Sequence, residues 1–152
     1  MLNKNIMEKL KTPFELFNVE CGKGWFGLLK PIFEYIETYN KNESNKEKIE
    51  VLQVKEKFGG LRFYTNFQTN ELSKLIEEAE FKADNTCELC GSTEKVGKTL
   101  GWITTCCEEC AKKIAKNNYS EYIRWIPNNK EEGLKWYEIN KQGEIKPQHK
   151  EK

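Results

Sequence analysis

The chain has 152 residues, of which 38% are hydrophobic, 32% charged and 12% aromatic, and its formal net charge is +1. This is about one domain's worth of polypeptide with ample aromatic bulk for a core, which excludes a disordered chain. The small net charge excludes strong whole-molecule attraction to nucleic acid, and no apolar run approaches the roughly 20 residues of a membrane-spanning helix. The charge is nevertheless uneven: residues 1–110 carry 15 Lys/Arg against 18 Asp/Glu, and residues 111–152 carry 10 against 6. The first residues lack the apolar centre of a signal peptide, so a cytoplasmic location with reduced thiols is expected.

In chain order, a short helix is expected near residues 13–19, with Phe14 and Phe17 available for docking. Cys21-Gly-Lys-Gly-Trp25 comes next, and its two glycines predict a sharp turn or a close backbone approach. It is not a phosphate loop, because neither Ser nor Thr follows the lysine and the spacing is wrong. Trp25, Phe26, Leu28, Leu29, Ile32, Phe33, Ile36 and Tyr39 recur at helical spacing, with Pro31 expected at the start of that helix or at a kink in it. After a polar loop at 40–48, two β-rich runs flank Gly59-Gly60 and predict a hairpin. Its alternation places Leu61, Phe63 and Thr65 on one face and Arg62, Tyr64 and Asn66 on the other.

Thr69 or Asn70 caps a further helix whose Leu72, Leu75, Ile76, Ala79 and Ala83 form one stripe. Residues 98–105 read as a strand pair or loop, and a helix is expected through Ala111, Ile114 and Ala115. Tyr119, Tyr122, Ile123, Trp125 and Ile126 predict another helical turn, stopped by Pro127. Residues 134–139 and 144–146 resemble a terminal hairpin, succeeded by a frayed polar end that includes His149.

The strongest chemical signal is Cys87-Glu-Leu-Cys90-Gly and Cys107-Glu-Glu-Cys110, two C-x2-C pairs with sixteen residues between them. This is the spacing of a four-cysteine zinc site, in which each knuckle turn aims two sulfurs at one ion. Gly91 suits the positive φ such a turn needs. Four thiolates leave no open coordination position, so the expected Zn2+ is structural. Cys106 forms no C-x2-C pair and is read as a bystander, although it could replace Cys107, and Cys21 is read as a small buried residue. No nucleophile–base pair, Rossmann glycine pattern or P-loop occurs, and Glu77, Glu78 and Glu80 read as a solvated helix face. The expectation is therefore a protein that is not an enzyme.

A second concentration of chemistry lies on the hairpin. Lys55, Lys57, Arg62 and Tyr64 could hold an acidic partner or a phosphate, joined by Trp25 if the first helix lies across the sheet. The competing reading makes these residues exposed cross-strand charges over a core of aromatics.

Taken in order, Gly22-Lys-Gly-Trp25, the run Val54-Lys-Glu-Lys-Phe-Gly-Gly-Leu-Arg-Phe-Tyr64, Cys87-Glu-Leu-Cys90-Gly91, Gly101-Trp102 and Thr105-Cys-Cys107-Glu-Glu-Cys110 resemble a group of small zinc-ribbon proteins carried by bacteriophages and prophages. The resemblance covers residues 21–111 and implies origin and metal more than activity. Analogy with phage accessory proteins of this size implies a host target, such as a defence component, in the host cytoplasm.

The sequence thus predicts an α+β chain. A helix-flanked hairpin or small antiparallel sheet at 1–85 carries a zinc ribbon and its adjoining helix at 86–118, with a C-terminal extension at 119–152, in one compact unit. The expected function is non-catalytic binding of a host protein. Nucleic-acid binding through the ribbon and the residues after it, and sequestration of a nucleotide by Lys55, Lys57 and Arg62, are the alternatives. No membrane partner is expected.

Overall fold

The computed structural model describes residues 19–151. Phe14 and Phe17 lie outside them. The fold is α+β: three helices, a two-stranded sheet and a five-stranded antiparallel sheet.

The first half builds one core. A 3-10 turn at Lys23–Trp25 runs into α1 (Phe26–Lys41), which buries Leu29, Ile32, Phe33 and Ile36. The helix starts five residues before Pro31 and continues through it, at the cost of the one hydrogen bond that Pro31 cannot donate to the Gly27 carbonyl. β1 (Val51–Lys57) and β2 (Gly60–Thr65) pair antiparallel with Val54 opposite Phe63 and Lys55 opposite Arg62. Because Lys57 pairs with Gly60, the two turn residues are Phe58 (φ 53°) and Gly59 (φ 81°), not the two glycines. A two-residue turn that matches the strand twist needs positive φ at both positions, and this register assigns one of them to a phenylalanine. Leu61 and Phe63 point inward as expected, with Phe63 edge-on to Phe33 at 5.5 Å between ring centroids.

α2 (Asn70–Ala83) is capped by Thr69, whose hydroxyl accepts the Leu72 N–H at 3.1 Å. It buries Leu72, Ile76, Ala79 and Ala83 against α1 and β2. Glu20 adds a short parallel bridge to the free edge of β1, accepting the Glu56 N–H and donating to the Val54 carbonyl, both at 2.9 Å. That covers an edge which would otherwise offer unpaired backbone groups.

The second half is one sheet, in the order β4 (Thr105–Cys107), β3 (Val96–Thr99), β5 (Tyr122–Pro127), β6 (Leu134–Asn140), β7 (Ile145–His149). α3 (Glu108–Lys116) packs on β5 and β6 through Ala111 and Ala115. Of the helical turn expected at 119–126, residues 122–126 lie in strand β5 and Tyr119 stands exposed in the bend before it. Ile123 and Trp125 are buried while Tyr122 and Arg124 are exposed, the two-residue period of a half-covered strand. The apolar residues of this stretch fit both periods, and pairing with β3 on one side and β6 on the other selects the strand. Residues 119–152 are therefore continuous with the ribbon, because β5 lies between β3 and β6. His149, expected in a frayed end, sits in β7 opposite Leu134, and the next residue, Lys150, donates its N–H to Gly133 at 2.8 Å.

The two cores meet at the hairpin turn. The hydroxyl of fully buried Thr105 donates to the Gly59 carbonyl at 2.6 Å. Lys98 Nζ donates to the Thr105 hydroxyl at 2.7 Å and reaches Asp84 at 3.5 Å. Gly59 is needed twice over: its φ is left-handed, and a Cβ there would come within 2.8 Å of Ile103. No helix among the described residues is long and apolar enough to cross a membrane.

Thr105→Val keeps the side-chain volume but removes the buried donor to Gly59. It should lower stability by about 1–3 kcal/mol in urea unfolding with the metal content unchanged; full stability would show that the two halves do not depend on this contact.

Candidate metal centre

Cys87, Cys90, Cys107 and Cys110 come together with all four sulfurs within 4.8 Å of one another. Cys87 comes just after the end of α2, and Cys90 lies three residues on, at the end of a turn closed by the Gly91 N–H on the Cys87 carbonyl at 2.9 Å. Gly91 has φ 84°, the conformation its place after the first pair predicts. The second knuckle is the N-terminus of α3, with Cys107 as its cap. Both knuckles make the same contact: the Cys90 N–H points at Cys87 Sγ and the Cys110 N–H at Cys107 Sγ, each at 3.5 Å.

The donor set fits a tetrahedral thiolate site. An ion with metal–sulfur bonds of about 2.3 Å at the centre of a tetrahedron has sulfurs about 3.8 Å apart, and Cys90 Sγ lies 3.7 Å from Cys107 Sγ. All four cysteines are free of disulfides. Cys87, Cys107 and Cys110 are buried and Cys90 is exposed, so solvent reaches one edge of the cluster. Burial pushes the Cys87 thiol up, but N–H groups of Cys107, Cys90 and Leu89 outweigh it and bring the thiol down to about 7. Burial is the main cause that holds Cys107 and Cys110 above the ordinary thiol value. Cys106 lies outside the cluster. Its neighbour Cys107 points the opposite way across β4, and Cys106 is buried with its carbonyl accepting the Trp125 indole N–H at 3.1 Å. Burial, then the nearby Cys87 and Cys107, push its thiol up to about 12. Cys21 is likewise pushed up to about 12, chiefly by burial and next by Glu88.

The first knuckle is seated in the Gly22–Trp25 turn. The Gly24 N–H donates to the Glu88 carbonyl at 2.8 Å, and the Gly22 N–H to Glu88 Oε2 at 2.9 Å. A Cβ on Gly24 would fall on the Cys87 carbonyl oxygen and within 2.6 Å of the Gly91 nitrogen, so only glycine fits. Trp25 is fully buried and its indole N–H donates to the Thr86 carbonyl at 2.8 Å. That corrects its expected place on a binding surface: Trp25 braces the residue before the first ligand. On its other side the knuckle joins β4, through the Glu88 N–H on the Thr105 carbonyl at 3.0 Å. Glu88, which the sequence did not single out, is held above the usual carboxylate range by burial, against the pull of the Gly22 N–H.

The remaining predicted site residues share one outward face. Lys55 lies opposite Arg62 and Gln53 opposite Tyr64, with Lys57 at the turn end. Tyr64 and Lys57 are exposed, while Lys55 and Arg62 are half-buried. Arg62 bends back toward the turn, where its Nη1 donates to the Leu61 carbonyl at 3.3 Å. Glu80 of α2 lies near enough to feel its charge; burial raises the Glu80 carboxyl and Arg62 pulls it back. Glu80 is therefore a neighbour of this face, unlike the plain solvated cluster expected of Glu77, Glu78 and Glu80.

No family model, curated protein or solved structure matches the chain.

Two outcomes test the centre. Cys90→Ser should lower bound metal from about one equivalent toward zero and abolish cooperative unfolding of the five-stranded sheet, whereas Cys106→Ser should keep its metal; metal analysis with thermal melts reads both. Because Cys107 and Cys110 hold their protons up to higher pH than ordinary thiols, metal must displace those protons. Affinity measured against a chromophoric chelator should therefore weaken from pH 8 to pH 6, with protons released on binding.

Proposed function

We propose that this chain is a non-catalytic recognition protein in which a structural Zn2+ stiffens a hairpin that binds a host protein. The observation that carries this reading is the β1–β2 register, which gathers Lys55, Lys57, Arg62 and Tyr64 on the side of the hairpin away from the core. Two cations directly opposite each other repel, so their juxtaposition costs stability unless anions meet it. Arg62 offers a fork for a carboxylate and Tyr64 a flat contact beside it. Zn2+ suits the site because a closed all-sulfur shell is how that ion is held when it supports structure. The resemblance of residues 21–111 to phage and prophage proteins supports a target in the host cell, including a component of its defences, and a cytoplasmic place of action.

A second reading is nucleic-acid binding. It is favoured by the sheet face away from α3, where Arg124 lies 5.2 Å from the centroid of the Trp136 ring and Tyr122 is exposed. Glu138, paired with both Arg124 and Lys146, offsets part of that charge. Sequestration of a nucleotide by Lys55, Lys57 and Arg62 uses the same hairpin face as the main reading.

Lys55→Glu, which sets an anion opposite Arg62, should hold or raise the melting temperature, and Arg62→Ala should keep a cooperative melt. A pull-down from nuclease-treated bacterial lysate in high salt should then retain a discrete protein with the parent and lose it with either variant. Retention that vanishes with nuclease or salt would establish the nucleic-acid reading instead, and a thermal shift with cyclic nucleotides that Arg62→Ala removes would establish the third.

A further inference from the structure

Two large aromatic side chains stand in solvent beside each other's loops: Phe58, 73% exposed at the hairpin turn, and Trp102, 88% exposed between β3 and β4. They line one cavity of about 190 Å³ together with Glu56, Gly101 and Ile103. Ile103 also lines an adjoining groove of about 340 Å³ over Leu100, Ile126 and Pro127, rimmed by Lys98 and Lys130. Contact of the Gly59 turn with Thr105 brings these two loops together, so the patch exists only in the folded chain.

Among the described residues, the contact that rewards Phe58 is a weak one, Lys57 Nζ lying 5.8 Å from its ring centroid. The Phe58 φ of 53° is the left-handed region, costly for a bulky side chain, and its ring lies in water instead of a core. Asn or Gly would make the same turn without strain. Strain of this kind persists where function needs the side chain. Trp102 is equally exposed, yet its backbone is held firmly. The hydroxyl of buried Thr99 donates to the Trp102 carbonyl at 2.7 Å and accepts the Thr104 N–H at 2.8 Å. A fixed, exposed tryptophan beside a strained, exposed phenylalanine has the character of a preorganised anchor.

We propose that Phe58, Trp102 and Ile103, with the groove over Leu100, Ile126 and Pro127, dock a segment of a partner protein that carries bulky apolar side chains flanked by acidic residues. The groove floor is aliphatic, which suits apolar side chains better than a sugar-phosphate chain. The rim is cationic: Lys57 Nζ sits 5.8 Å from the Phe58 ring centroid and exposed Lys130 edges the groove, while Lys98 beside it directs its Nζ to Thr105 and Asp84. The nearby carboxylates are engaged internally, Glu56 with the Gly59 N–H at 2.7 Å and Asp84 with Lys98 at 3.5 Å. The proposal deepens the protein-recognition reading and rests on it, but it uses a different surface from the Lys55–Arg62 face.

The test is selection of a displayed random-peptide library on the full-length, zinc-loaded protein. Enriched peptides should carry clustered Trp, Phe, Leu or Ile between Asp and Glu, and should not be enriched on Trp102→Ala. A synthetic peptide of that consensus should bind the parent in fluorescence anisotropy and lose about tenfold or more with Trp102→Ala or Phe58→Asn, the loss expected of an anchor residue. Phe58→Asn should melt at the same or a higher temperature than the parent, since Asn tolerates the turn. The proposal falls if Trp102→Ala enriches the same peptides, if the flanks are basic, or if Phe58→Asn lowers the melting temperature. It also falls if a poly-dT oligonucleotide binds and Trp102→Ala removes that binding, or if Trp102→Ala abolishes a concentration-dependent dimer. Loss of the lysate partner with Arg62→Ala but not with Trp102→Ala would sink the groove and leave the hairpin reading standing; retention with both would sink both surfaces, and the absence of any retained protein with the parent would sink the recognition reading itself.

Discussion

The seating of the first cysteine knuckle in the Gly22–Trp25 turn is the contact on which the rest of the structure depends. The turn belongs to the first core through Trp25, and the knuckle belongs to the second through Cys87 and β4. Two backbone segments approach too closely there for any side chain on Gly24. An ion held by Cys87, Cys90, Cys107 and Cys110 would tie that seated knuckle to the start of α3. Its binding would then act on both cores, because the free energy of bringing four thiolates together is also folding free energy.

The hairpin turn makes the second junction. Gly59 lies against Thr105 and Lys98, so the run from Val54 to Tyr64 serves the interior at its glycine and the exterior at its charges. The glycine-bearing segments at 22–25, 54–64 and 101–102 meet around these two junctions. Gly22 and Gly24 hold the first knuckle, Gly59 meets Thr105, and the Gly101-Trp102 loop borders the same hairpin turn. Much of what is distinctive in the sequence is therefore accounted for by docking between modules. Phe58, Trp102, Lys57 and Tyr64 are what remain, and all of them face solvent.

This sorting limits which chemistry each residue can do. Trp25 resembles a surface aromatic in sequence but spends its indole N–H on Thr86 inside the protein. Arg62 leans toward its own turn and feels Glu80, so an anion arriving at the hairpin face would compete with a contact already partly made. Phe58 and Trp102 have backbone positions fixed by neighbours and rings left free of the core, which is the division of labour a docking anchor needs.

The clustering of Cys87, Cys90, Cys107 and Cys110 and the turns that carry them were legible in the residues alone, because two-residue spacing is a local constraint that any fold must satisfy. So were α2, capped by Thr69, one of the two candidates, and burying four of its five stripe residues, and the inward face of β2, where one period dominates. Other features were not local. Residues 122–126 fit a helix and a strand equally, and only pairing with β3 and β6 made them a strand. The burial of Trp25, the turn placed at Phe58 instead of Gly60, and the joining of Phe58 with Trp102 depend on which distant backbone lies alongside. The spacing of cysteines determined where an ion could bind; packing between the two cores decided which aromatics were left outside, because burial is settled by neighbours far away in the chain.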